Sequence, residues 1–406
     1  MRILFLTGQV PYPPQAGGAL RTYGLLDGLH RAGHTLDILT FCEPGQAEPS
    51  STPLAALCNQ IHAVPAPRRT ITTRLRDLFL SNHADMARRF YSPEFAAALK
   101  TLLANGNYDL VQIESLEMAT YLPIIQAQRP AVRTIYDSFN AEFDLQRLIF
   151  DIDRRNPARL PGALYSLIQW RRLTRFERYV CQQVDRVIAV SEADAEAFHR
   201  LCDKAVVEVV PNGIYTNEYA RPIGSLELGS SALLFTGTMN YRPNVDAVLW
   251  FTENVLSEIR TAVPDTRLFI VGNKPHDRLN GIRQRVDVEV TGYVQDVLPF
   301  LHSASVYVAP LRMGSGTRLK LLQAMAAGCA IVSTTVGAQG LDVTSGREMI
   351  LADDAISFAQ ATVTLLRDAA LRKSLANAAV RRVCDRYDWS VIVPRLLNVY
   401  QEMGLG

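Results

Sequence analysis

The chain has 406 residues, 48% of them hydrophobic and 20% charged, with a formal net charge of +2. That length exceeds what one hydrophobic core sustains, so two globular domains are expected, and the composition excludes a disordered polymer. Near-neutral charge with no long block of one sign argues against nucleic acid as the main partner and for a small-molecule or carbohydrate ligand.

The chain opens MRILFLTGQVPYPP, whose apolar run Ile3 to Leu6 is too short for a signal-peptide core and reads as a first strand. No run reaches the roughly 18 apolar residues of a membrane span. A helix is expected from about Ala19 to Ala32, and then β-rich runs TLDILTF, DLVQI, VRTIY, DRVIAV and VVEVV alternate with helical patterns. Such alternation predicts βαβ units, and the unbroken apolarity of the strands predicts a parallel sheet covered on both faces. Cys42, Cys58, Cys181, Cys202, Cys329 and Cys384 are widely spaced with no Cys-x-x-Cys pair, so reduced thiols of a cytoplasmic protein are expected and no metal site.

A stretch rich in Gly, Pro, Ser and Asn, PNGIYTNEYARPIGSLELGSS, marks an interdomain linker. The pattern then restarts with ALLFTG, a helix from about Asn244 to Arg260, RLFIVG, VEVTG, ASVYVAP, a helix beginning near Thr317, and CAIVST. This predicts a second doubly wound α/β domain. Helical patterns from about Ala355 to Cys384 and a last amphipathic helix, RYDWSVIVPRLLNVYQEM, close the chain. The expected domains are residues 1–212 and residues 213–385, with a last helix over 386–406.

The segment APLRMGSGTRLKLLQAMAAGCAIVSTTVGAQGLD carries the clearest chemistry. A strand ends at Pro310, Gly314, Ser315, Gly316 and Thr317 form a turn, and a helix follows with Arg318 and Lys320 at its start. Glycines there let the backbone approach an anion, and free N–H groups with the helix dipole favour negative charge. Arg318 and Lys320 add charge-assisted contacts suited to a diphosphate. A plain strand-to-helix turn with solvated cations is the bland alternative; the following GCAIVST strand and GAQGL turn, which complete a second ligand edge, weigh against it.

With these motifs in order, the chain resembles the large family of retaining, nucleotide-sugar-dependent glycosyltransferases of the GT-B fold (family 4-like, glycosyl transferases group 1). PLRMGSGTRLKLLQAMAAG and AIVSTTVGAQGL resemble its donor-binding segments, RILFLTGQVPYPPQAGGALRTYGLLDGLHRAGHTLDILT its opening, and RYDWSVIVPRLLNVY its closing helix that crosses back to the first domain. The resemblance implies two facing Rossmann-like domains and transfer of a sugar, with retention of anomeric configuration, to a saccharide, lipid-linked or small-molecule acceptor. It also implies no metal or other cofactor beyond the nucleotide-sugar co-substrate. FTGTMNYRPN, with Gly237 and Arg242, resembles the family's donor-phosphate loop, although Pro243 and Asn244 stand where a lysine is usual. Ser315 and Gln323 align with a glutamate pair, the second of which touches the donor ribose, and Gln339 stands where glutamate is frequent.

In the first domain Gly17, Gly18 and Arg21 open a helix after the Pro-rich loop and are candidates for the donor phosphates, a helix-entry turn being the alternative. QIESLEMATY, with Glu114 and Glu117, and YDSFNAEFD, with Asp137, Asn140 and Glu142, follow strands at the end where such sheets collect polar groups. Glu114, Asn140 and Glu142 are the catalytic candidates; Phe139 stands where relatives often offer histidine, and helix capping is the rival role for Asn140 and Glu142. Residues 145–180 carry Arg147, Arg154, Arg155, Arg159, Arg171, Arg172, Arg175 and Arg178 among aromatic and aliphatic side chains. A solvated basic face is favoured over peripheral contact with an inner membrane. A GT-B-like nucleotide-sugar epimerase and a non-catalytic glycan- or nucleotide-binding module are the competing functions.

Overall fold

The computed structural model describes residues 1–14, 17–154, 160–220, 224, 226–314 and 317–405. The chain forms two compact units, Met1–Asn212 with Ile392–Gly406, and Gly213–Val391.

The first unit is built on seven parallel strands: β1 (Arg2–Thr7), β2 (Thr35–Cys42), β3 (Gln60–Pro65), β4 (Leu110–Glu114), β5 (Arg133–Asp137), β6 (Arg186–Ala189) and β7 (Val207–Val209). They lie in the order β3-β2-β1-β4-β5-β6-β7. Winding therefore reverses between β1 and β4, and the loops leaving their carboxyl ends diverge to open a crevice there. Ile3, Leu4, Phe5 and Leu6 of β1 are completely buried, as expected of a central strand sandwiched by helices. Strand β3 has no clear sequence signal because it lies at the sheet edge, where only Val64 of the mixed sequence QIHAVP is buried. Helix Gly17–Arg31 links β1 to β2, and the basic stretch forms two packed helices, Glu142–Asp153 and Leu160–Gln183. Arg155 and Arg159 lie outside the described residues.

From Ile392 onward the last helix, Trp389–Glu402, packs in this first unit, with Ile392, Leu396 and Tyr400 fully buried. Gly28 makes room for it: a Cβ there would sit 2.2 Å from Val393 Cγ2. Burying each large apolar side chain contributes about 1.5–3 kcal/mol.

The second unit repeats the design with β8 (Ala232–Thr236), β9 (Arg267–Val271), β10 (Val288–Gly292), β11 (Val306–Ala309), β12 (Ile331–Ser333) and β13 (Ile350–Leu351), all parallel, in the order β10-β9-β8-β11-β12-β13. Its switch point falls between β8 and β11. The expected helix over 244–260 is divided at Val255 into Arg242–Asn254 and Leu256–Ala262. The helical tail is likewise divided at Asp368, whose carboxylate caps the second segment by accepting from the Leu371 N–H. This unit runs to Val391 rather than to 385. Ile214 N–H donates to the Tyr387 carbonyl and Trp389 N–H to the Ile214 carbonyl. The Trp389 ring lies so close to Gly213 that a Cβ there would be 2.7 Å away. Among the described residues no helix is long and apolar enough to cross a membrane.

Candidate functional site

The most developed site lies at the switch point of the second unit, where the loops after β8 and β11 meet. Gly237, just past β8, has φ 151°, and a Cβ on it would fall 2.7 Å from both Asn244 Nδ2 and Lys320 Nζ. Gly272 ends β9 with φ 156°, and its Cβ would fall 1.7 Å from the Gly237 carbonyl oxygen. Only glycine fits either place, so the two strand ends are brought into direct backbone contact.

Lys320 comes from the helix Leu319–Ala326 that follows β11. Its ammonium donates to Asn244 Oδ1 at 2.6 Å and lies 4.3 Å from the centroid of the Phe235 ring. Asn244 is itself buried and oriented, its Nδ2 donating to the Thr238 carbonyl at 2.9 Å. An ammonium held by a neutral amide and an aromatic face has no formal counter-charge. Desolvation, aided by repulsion from Arg318, therefore pushes its pKa down to about 7. Arg318, at the helix entry, lies over Gly314, where φ is 124° and a Cβ would come 2.7 Å from a guanidinium nitrogen. Two cations thus gather beside glycines at strand ends, an arrangement able to receive an anion.

Among the other sequence-predicted residues of this unit, Thr317 is buried just before Arg318, and Arg242 begins the helix Arg242–Asn254, half-buried. Gln323 lies one helical turn beyond Lys320 and donates through Nε2 to Tyr219 Oη at 2.9 Å. Gln339 is exposed, in a turn clamped against the end of β11: the Gly337 N–H donates to Thr334 Oγ1, and a Gly337 Cβ would lie 2.8 Å from the Ala309 carbonyl oxygen. Ser315 and Gly316 lie outside the described residues. Asn244, Tyr219 and Gly272 join the site only in the structure. The signal for Asn244 in the sequence is the missing lysine beside it, whose place Lys320 takes from the helix after β11.

In the first unit the predicted residues are brought together, but two of them are inside the protein. Arg21, expected at the donor phosphates, is 1% exposed, and its guanidinium is held by Asp137 at 2.8 Å and 2.9 Å. It also donates to the carbonyls of Val210 and Pro211 and to Asn212 Oδ1. Its hydrogen bonds run through Nε and Nη1, while buried Nη2 lies against Asp137 without a hydrogen bond of its own; so buried, the guanidinium ties helix Gly17–Arg31 to the ends of β5 and β7. Glu114 is equally buried, accepting from Thr22 Oγ1 at 3.0 Å and from Gln112 Nε2 at 2.8 Å. One guanidinium cannot neutralise two buried carboxylates. Burial and the neighbouring Asp137 push Glu114 up to about 8.

Gly18 lies under the Phe139 ring, where a Cβ would be 2.8 Å away, and exposed Gly17 begins the helix. Asn140 and Glu142 are half-buried next to each other, Asn140 Nδ2 donating to Glu142 Oε1 at 3.2 Å. Burial, reinforced by Glu117, pushes Glu142 up to about 8. Beneath it Glu177 accepts from Tyr136 Oη and from the backbone N–H groups of Glu142 and Phe143, and it too is pushed up to about 8 by burial and by Glu142. Ser115, directly after β4, has φ 76°, a left-handed conformation unusual for serine and placed at the switch point of this sheet.

Known proteins match this architecture over its whole length. The profile of Glycosyltransferase Family 4 matches residues 16–218, and that of Glycosyl transferases group 1 matches residues 230–368. The phosphatidyl-myo-inositol mannosyltransferase of Mycobacterium tuberculosis is 24% identical over 413 aligned positions, covering 97% of this chain and 96% of that protein. Among solved structures, sucrose-phosphate synthase from Thermosynechococcus elongatus superposes with a TM-score of 0.75 at 17% identity, covering 99% of each chain. Anabaena HepE in complex with UDP-glucose does so with a TM-score of 0.66 at 14% identity, covering 99% of this chain and 100% of that one. With two doubly wound parallel sheets in GT-B style and both profiles matched in order, the chain belongs to the glycosyltransferases of family 4 and group 1.

Proposed function

We propose that this glycosyltransferase takes its sugar from a nucleoside-diphosphate sugar bound by the second unit. The sugar passes, with retention of anomeric configuration, to a saccharide, lipid-linked or small-molecule acceptor. The observation that carries the reading is the Lys320–Asn244 pair beside Gly237, a desolvated cation with only neutral partners, placed with Arg318 at the switch point where such sheets bind ligands. HepE, of the same fold, was crystallised with UDP-glucose, and the mycobacterial relative's name describes transfer to a phosphatidyl-linked inositol; both lend support.

On this reading Arg318 and Lys320 neutralise charge that grows on the departing diphosphate, Gly314 and Gly237 let backbone approach it, and the amino end of helix Arg242–Asn254 adds its dipole. These protein cations supply the charge stabilisation otherwise given by a metal. Gln323 and Tyr219 meet the ribose hydroxyls. An oxygen of the leaving diphosphate accepts the acceptor hydroxyl's proton, and rate comes from positioning and electrostatics. Gly17 and Gly18 offer backbone N–H groups, Asn140 and Glu142 contact the acceptor sugar, and buried Glu114 and Arg21 act as positioning residues. On this reading the enzyme acts in the cytoplasm.

The test is to measure binding of UDP, GDP and ADP to the parent and to Arg318→Ala and Lys320→Ala, then to follow sugar transfer with acceptors and the product anomer by NMR. One nucleotide should raise the melting temperature, and each substitution should weaken it by roughly 1.5–3 kcal/mol. Unchanged affinity in both variants removes these residues from the donor site. Acceptor-free interconversion of the sugar would make the protein an epimerase, and binding with no turnover a recognition module.

A further inference from the structure

The basic stretch of the first unit forms a concavity. A cleft of about 630 Å³ lies between helix Leu160–Gln183, the helix Asp85–Arg89 and the segment following β4. Its walls include Arg88, Arg172 and Arg175, with the rings of Tyr91, Phe176 and Tyr179. Tyr91 and Tyr179 are 54% and 38% exposed, and Tyr91 stacks on buried Tyr121 with centroids 6.1 Å apart. The volume falls in the range of small-molecule sites and suits a saccharide of a few units, whose C–H faces pack on aromatic rings.

Charge at this cleft is unbalanced. Asp77 and Asp85 are the acidic partners of its arginine cluster among the described residues. Asp77 receives Arg69 at 2.8 Å, Arg88 at 3.1 Å and Arg76 at 3.8 Å, and Asp85 receives Arg69 at 2.9 Å. Arg172 donates to the Asp77 carbonyl at 3.5 Å, and Arg175 makes no ion pair or hydrogen bond to any described residue. Glu177, on the same helix, is buried on its opposite side against Tyr136. Glu117 is approached by Arg89, at 3.9 Å. Concave shape, exposed rings and the Arg175 guanidinium, which pairs with no other described residue, call for an anion on an organic body, and guanidinium forks match phosphate oxygens best.

We propose that this cleft binds a phosphate-bearing saccharide, either free or as the head of a lipid-linked one. It lies within the first unit and is separate from the donor site of the second. Its role as an acceptor anchor rests on the transferase reading; its occupancy does not.

The test uses the full chain carrying Arg318→Ala and Lys320→Ala, so that the donor cradle does not compete for phosphate, and no nucleotide is added. Glucose 1-phosphate, glucose and vesicles of phosphatidylcholine with or without phosphatidic acid are titrated. Glucose 1-phosphate should bind saturably and glucose much more weakly, and Arg175→Ala should weaken the phosphate ester by about tenfold or more, as expected for a charge-assisted contact. Tyr179→Ala should weaken it as well. Arg175 is exposed and pairs with no other described residue, so its replacement leaves the melting temperature in place and isolates binding. Vesicle binding that glucose 1-phosphate displaces assigns the ligand to a lipid-linked source; sugar-phosphate binding without vesicle binding assigns a free one. The proposal is overturned if glucose 1-phosphate fails to bind, if glucose binds equally well, or if Arg175→Ala changes nothing. Arg175-dependent vesicle binding that the sugar phosphate cannot displace also overturns it, making the cleft a plain membrane contact.

Discussion

The Lys320 ammonium and the Asn244 side-chain carbonyl meet at 2.6 Å although 76 positions separate them in the chain. The lysine follows β11 and the asparagine lies in the first turn of the helix after β8, so the pair spans the switch point of the second sheet. Because the partner is neutral, the lysine's charge is not cancelled before a ligand arrives. Asn244→Asp should therefore give Lys320 an internal counter-ion, raise its pKa and weaken nucleotide-diphosphate binding by roughly 1.5–3 kcal/mol, with a separate cost in stability because the bond to the Thr238 carbonyl is lost. Calorimetry on this variant decides it; tighter or equal binding would show that Asn244 does not govern the lysine's charge.

The same depressed pKa predicts proton uptake. Free Lys320 titrates near 7, so at about pH 8 it is largely neutral, and an arriving diphosphate favours the ammonium. Binding should then take up nearly one proton, seen by calorimetry in buffers of different ionisation enthalpy, and Lys320→Met should abolish the uptake. For stability the sign follows from proton counts. Between about pH 7 and the ordinary lysine value of 10.5 the unfolded chain binds more protons, so this group's contribution to stability rises with pH across that window.

Three carboxylates of the first unit act in the opposite sense. Glu114, Glu142 and Glu177 are each pushed from 4.5 up to about 8. The folded chain binds the additional protons between those values, so their contribution to stability is present at low pH and is lost as pH rises through about 8. Glu177→Gln removes one titration and keeps an oxygen for the Tyr136 hydroxyl and the Glu142 N–H, at the cost of the bond from the Phe143 N–H, a loss common to both pH values. Chemical denaturation at about pH 6 and about pH 8.5 should show a smaller loss in this variant than in the parent. An identical loss would mean that Glu177 is already ionised at neutral pH.

Tyr400, on the last helix, donates to Gln112 Oε1, and Gln112 in turn donates to Glu114. Both ends are fully buried. Tyr400→Phe keeps the ring and leaves the amide oxygen without its donor, which should cost about 1–3 kcal/mol. Deleting residues from Ile392 onward should cost far more, because Ile392, Leu396 and Tyr400 leave the core together. Urea titration checks both; a truncated chain that unfolds like the parent would show the helix to be dispensable.

Gln323→Glu should strengthen nucleotide binding if this side chain meets the ribose, because a carboxylate accepts more strongly from hydroxyls. Tyr219 Oη, which now accepts from Gln323, can rotate its proton and donate to the new carboxylate, so stability should change little. A lower melting temperature with unchanged nucleotide affinity would make the pair a packing contact.

Much of this protein is legible in its sequence because the signals are local. Apolar runs such as Ile3 to Leu6 and Leu233 to Phe235, separated by helical periods, specify parallel sheets without any knowledge of which strands pair. Glycines after β8 and β11 mark the strand ends where an anion can approach, since a backbone at positive φ excludes other residues. Edge strands β3 and β13 carry weaker signals, being half-exposed or only two residues long.

Burial and partnership were decided by tertiary structure alone. Arg21, near the start of a helix behind a glycine-rich loop, has the local features of a phosphate contact. Only the sheet order that sets β5 and β7 beneath that helix reveals Asp137 and the carbonyls that bury and hold its guanidinium. Glu114 likewise ends a strand at the right place, yet closing the last helix over Gln112 seals it from solvent. Lys320 and Asn244 are each ordinary in sequence. Their meeting, and the depressed pKa that follows, arises because winding reverses between β8 and β11 and brings two distant loops to one point, where desolvation acts on a charge that no carboxylate cancels.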